Sequence, residues 1–178
     1  AAKADAPLLT SRKKSDGWYL VQWADGNYWV HEGDVLVGAS EPFDGQLTLF
    51  ETTAFYDAPV ANGTRQGAIR PQTVRTLQKH GDWYQIATWA GDKWVRPQRF
   101  HIGAVEVQQR TIALTEETAL YDLPFADAQG AGRISPQTVQ ATERIGDWYK
   151  IRTWLGDKWI LVSGAEAMSA DATSTDPA

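Results

Sequence analysis

Residues 146–160 read GDWYKIRTWLGDKWI, and residues 81–95 read GDWYQIATWAGDKWV. In the first stretch Tyr149, Ile151 and Thr153 alternate with Trp148, Lys150, Arg152 and Trp154. That period of two places successive side chains on opposite faces of a strand. Ile151 is the natural core residue, so Trp148 and Trp154 are expected on the opposite, wetter face. Leu155-Gly156-Asp157-Lys158 then reads as a hairpin turn around Gly-Asp. Such a turn sets Trp154 opposite Trp159, a cross-strand aromatic pair worth roughly 0.2–1 kcal/mol. Trp89-Ala90-Gly91-Asp92-Lys93-Trp94 repeats the pattern.

Working outward, the similarity extends along the chain at a constant offset of 65 residues. Residues 48–97 and 113–162 align without a gap and share 25 of 50 positions, including Pro-Gln-Thr-Val at 71–74 and 136–139. A further step back from Trp83 reaches Trp18, within DGWYLVQWADGNYWV, where a loop around Asp25-Gly26 is expected to be one residue longer. The nine tryptophans are then three per copy: 18, 23, 29; 83, 89, 94; 148, 154, 159. The first copy has no counterpart of the ETTAFYDAP segment (51–59). Three explanations are open: a longer array, strands borrowed from elsewhere, or a natural cap.

No segment holds a sustained helical period. Short strands punctuated by Gly, Pro and Asn predict an all-β chain of small barrels. The expected organisation is an N-terminal extension (1–7), a partial module (8–45), a module (46–103), a linker (104–110), a module (111–164) and a disordered tail (165–178) rich in Ala, Ser, Thr and Asp. Units this small are marginal alone. The apolar connectors Phe100-His101-Ile102 and Val105-Glu106-Val107 therefore predict packing between neighbours.

Composition narrows the chemistry. The chain of 178 residues has a formal charge of −5 and no cysteine, which excludes disulfides, thiol nucleophiles and Cys-based metal sites. The acidic balance argues against nucleic acid as a partner, and no apolar run reaches the roughly 20 residues of a membrane-inserted helix. Residues 46–103 sum to +3 and residues 111–164 to −2, so a ligand field built on charge is not shared; the shared element is aromatic. His31, His80 and His101 fall at non-equivalent positions, which predicts no metal site. Asp82, Asp92, Asp147 and Asp157 each adjoin a glycine, where a turn explains them better than a glycosidase pair does. No cofactor motif and no catalytic constellation is present, so a non-enzyme is expected.

Ala119-Leu120-Tyr121-Asp122, followed by Gly146-Asp147-Trp148-Tyr149 and Gly156-Asp157-Lys158-Trp159-Ile160, resembles the bacterial SH3-like (SH3b) fold. The resemblance covers two modules and the second half of a third. It implies tandem small SH3-like β-barrels without catalytic activity. It also implies a secreted, surface or cell-wall location in bacteria and binding to peptidoglycan or another wall polymer. In the family the tyrosine of the first motif, the tryptophan of the second and the aromatic of the third line the ligand groove. By resemblance this nominates Tyr121, Trp148 and Trp159, and Tyr56, Trp83 and Trp94. Lys150 and Arg152 stand beside them for anionic groups. Two departures are plain: the acidic cluster for basic proline-rich peptides is missing from 59–67 and 124–132, and Trp89 and Trp154 are not family features.

Two uses of the tryptophan faces stay open. One is ligand binding, weak per module and strengthened by multivalency. The other is packing, within a module, between modules, or between neighbouring copies of the chain in a stalk, an S-layer-like lattice or a fibre. Trp18, Trp23, Trp29, Trp89 and Trp154 are assigned to structure or interface. An SH3-like adaptor for a protein partner is a third class, disfavoured without the acidic loop.

Overall fold

The computed structural model describes residues 9–23 and 26–162. The expected extension (1–7) and tail (165–178) lie outside these, as does Asp25. The described chain is all-β, with three antiparallel sheets and no helix. The first sheet has the order β1 (Ser11–Ser15), β2 (Trp18–Trp23), β3 (Gly26–His31). The second is built from β4 (Glu41–Leu49), β5 (Thr53–Tyr56), β6 (Arg65–Ile69), β7 (Gln72–His80), β8 (Trp83–Thr88), β9 (Gly91–Val95) and β10 (Phe100–Ile102), in the order β10-β4-β7-β8-β9-β5-β6. The third contains β11 (Glu106–Leu114), β12 (Thr118–Tyr121), β13 (Gly130–Ile134), β14 (Gln137–Ile145), β15 (Trp148–Thr153) and β16 (Gly156–Leu161), in the order β11-β14-β15-β16-β12-β13. Apart from β10, the second and third sheets share one strand order.

Each of these two sheets wraps one core. In the second, Leu47 and Leu49 on β4 meet Phe55, Ile69, Ile86 and Val95 from the far side of the strand order. In the third, Ile112 and Leu114 meet Leu120, Ile134, Ile151 and Ile160. The curl comes from bulges, which bend and twist a strand locally. They recur at equivalent places: β4–β7 between Pro42 and Gly45, and β11–β14 between Val107 and Arg110. The expectation of closed barrels is corrected in one respect. The end strands, β10 and β6 or β11 and β13, are not joined by ladder hydrogen bonds. Side chains close the core where backbone pairing stops.

The hairpins also differ from the reading above. Thr153 pairs with Gly156, and Trp159 lies opposite Lys150, not Trp154. Trp154-Leu155 is therefore the turn, as is Trp89-Ala90 between Thr88 and Gly91. Gly91 and Gly156 each have φ of +88°, so the glycine closes the turn at its fourth position, where a left-handed residue is favoured. In the first sheet Trp23 pairs with Gly26. That loop has the same two-residue length, and Trp23 occupies the place of Thr88 and Thr153 rather than that of Trp89 and Trp154.

Candidate functional site

The nominated residues of the third sheet converge. Trp148 opens β15, Trp159 sits on β16, and Tyr121 on β12 is paired with Trp159. Tyr121 and Trp148 meet edge to face at 5.3 Å. The Lys150 ammonium lies 5.1 Å from the Trp159 ring centre and 2.6 Å from Glu143 Oε2. Lys150 is thus already committed to a carboxylate and an indole, whereas Arg152 is exposed. Alternation along β15 separates this group from the core formed by Tyr149 and Ile151.

That second face is not open to solvent. Trp148 and Trp159 retain only 7% and 4% exposure, packed with Ile145 beneath Phe50 and Val105 from the preceding segment. Phe50 meets Trp159 edge to face at 6.2 Å and Phe125 at 5.5 Å. His101 stacks on Phe125 at 4.8 Å, and its Nε2 lies 2.6 Å from the Pro124 carbonyl oxygen. Arg99 donates to Asp127 at 2.5 Å. The groove nominated by resemblance is, in the third sheet, a junction with the second. His101 and Val105 belong to the connectors expected to pack. The sequence marks Phe50 only by a break in the repeat, with Thr115 at the equivalent position.

In the second sheet, Tyr56 and Trp83 make the same edge-to-face pair at 5.3 Å, and Tyr56 pairs with Trp94 across β5 and β9. Trp94 is buried and Trp83 half-buried. Nearby, Asn62 donates its backbone N–H to Gly33 O at 3.0 Å and its side-chain amide to Asp34 Oδ1 at 3.0 Å. Positions 34 and 62 become 99 and 127 on adding 65. Both junctions therefore join the same two positions, once through an amide and a carboxylate and once through an ion pair.

The tryptophans assigned to structure are the open ones. Trp89 and Trp154 are 75% and 68% exposed at their hairpin tips. Trp18, Trp23 and Trp29 are exposed on the first sheet, where Trp18 meets His31 edge to face at 5.0 Å. Among the described residues no group of three or more His, Cys, Asp or Glu is placed to hold a metal ion, and no helix is long and apolar enough to cross a membrane. Among the described residues two titrating groups are displaced. Hydrogen bonds to Tyr19 and Glu32 raise the Lys14 ammonium above its ordinary value. The hydrogen bond from Arg99 holds the Asp127 carboxyl below its ordinary value.

No family model and no solved structure matches the chain. It is similar to a Bacillus anthracis protein described as an uncharacterized cell wall amidase, with 28% identity over 163 residues. The match covers 89% of this chain and 28% of that relative, so the chain spans little more than a quarter of the relative's length.

Proposed function

We propose that this chain is a non-catalytic, wall-polymer-binding segment of a bacterial surface protein, built from SH3-like units. One observation carries the reading: nearly the whole chain is similar to a minority segment of a protein described as a cell wall amidase. A segment of that proportion, made of repeated β-units with exposed indoles, is what a targeting region beside a catalytic part looks like. An extracellular, wall-associated location follows from the same reading, with peptidoglycan or another wall polymer as partner. Co-sedimentation with purified sacculi tests it. The chain is expected in the pellet, and its retention in the supernatant overturns the proposal.

A structural reading has its own support. The junction that covers Trp148 and Trp159 joins the second and third sheets through packed side chains, as in a stiff stalk. In that reading the chain stays off sacculi and associates with its own copies, which sedimentation velocity over a range of concentrations detects.

A further inference from the structure

Two tips of the molecule are built alike and neither is explained by folding. In each hairpin a threonine hydroxyl donates to the closing glycine carbonyl, Thr88 to Gly91 at 2.6 Å and Thr153 to Gly156 at 2.7 Å. The same hydroxyls accept from the backbone N–H of Ala90 and Leu155, both at 3.1 Å. This clamp and the left-handed glycine define the turn. Nothing in them requires an indole at its first position, where small polar residues are usual.

Packing does not supply the missing reason. Trp89 meets the edge of Phe55 at 5.8 Å, but the position equivalent to Phe55 is Leu120, and Trp154 has no aromatic neighbour among the described residues. The residue after the indole changes too, from Ala90 to Leu155. The support varies while the exposed indole stays. Isolated apolar residues at the surface need no explanation; the same large one at the same tip of two units, clamped in the same way, does.

We infer that Trp89 and Trp154 are stacking platforms for a neutral, hydroxyl-rich polymer, the glycan strand of the wall, held as a bivalent pair. This rests on the wall-binding reading and names its contact residues and ligand class. An indole face suits the flat apolar side of a sugar ring. The charge that both tips share disfavours an anionic polymer; the exposed Arg152 opposite Asp157 is confined to the Trp154 tip, with Ala87 in its place at the other. Each turn glycine is followed by an exposed aspartate, Asp92 or Asp157, and the adjacent lysines are engaged, Lys93 with Asp57 at 2.5 Å and Lys158 with Asp122 at 2.8 Å. The free polar groups common to both tips are therefore carboxylates, which accept from sugar hydroxyls and repel phosphates. The junction at Arg99–Asp127 and Phe50–Trp159 ties the two units together, and a strand long enough to reach both tips would bind them as a linked pair.

The test is sedimentation of the full chain with three probes: chitin, sacculi stripped of anionic polymers by acid, and purified teichoic acid coupled to beads. Wild type is expected to bind the first two and not the third. W89A or W154A alone should weaken polymer binding by about 100-fold, the scale on which a second linked contact acts, and the double variant should abolish it. Unchanged far-ultraviolet circular dichroism and melting temperature show that the variants are folded. If wild type binds stripped sacculi and the double variant binds equally, the platforms are overturned while wall binding stands. Binding to teichoic acid alone overturns the neutral-glycan class. If wild type binds none of the three, both readings fall.

Discussion

The two halves of one alternating pattern meet different fates. Tyr149 and Ile151 point into the core of the third sheet, and Trp148 points away from it, as the period of two requires. What the pattern does not contain is the cover over Trp148, because Phe50 and Val105 arrive from remote parts of the chain. A face that alternation reads as wet is therefore nearly dry. Trp154, six residues further along the same hairpin, is exposed because it lies in the turn rather than on the strand. The two tryptophans should behave oppositely on truncation. Trp148→Ala removes a buried ring at a junction and is expected to destabilise the third sheet by about 3–5 kcal/mol. Trp154→Ala is expected to stay within about 0.5 kcal/mol of wild type. Denaturant unfolding followed by near-ultraviolet circular dichroism measures both, and equal effects would contradict the assigned environments.

Among the elements, the hairpins show how close a register can be read and still be misplaced. The glycines mark a turn in the sequence, but the chain turns at the two residues before Gly-Asp. Among the described residues only Asp16 has a positive φ without being glycine, so Trp154 and Leu155 turn the chain with negative φ and leave the left-handed step to Gly156. That is the logic of a turn whose glycine comes fourth. Moving the turn by two residues changes every cross-strand partner: Trp159 finds Lys150 where Trp154 was expected. A Cβ at position 156 would meet nothing within 4 Å, so crowding plays no part and only the backbone resists substitution. Gly156→Ala is accordingly expected to cost about 1–2 kcal/mol, the penalty of a left-handed alanine, and Gly91→Ala the same. Thermal melts of the two single variants check this. A cost near zero would place these glycines elsewhere in the turn.

At the scale of the molecule, the 65-residue offset carries further than sequence identity does. It relates Asp34 and Asn62 to Arg99 and Asp127, although no residue is conserved between the two pairs and the carboxylate changes sides. The repeated sheets could be read from matching residues; the repeated junction could not, because only its geometry repeats. Its two forms differ in one testable way, since the second is an ion pair. Arg99 holds the Asp127 carboxyl below its ordinary value, so the folded state binds that proton less readily than the unfolded chain. The pair's contribution is therefore complete above the unfolded carboxylate value of about 3.9 and is lost as pH falls through the lower folded value. Asp127→Asn keeps the shape and removes the charge. Its melting temperature should lie below wild type at pH 7 and converge with it as the solution is acidified below about pH 4. The gap should also narrow in about 1 M salt, because the pair is exposed and a Debye length of about 3 Å screens it. A gap that persists unchanged to the acid limit would mean that Asp127 holds the junction by its shape and not by its charge.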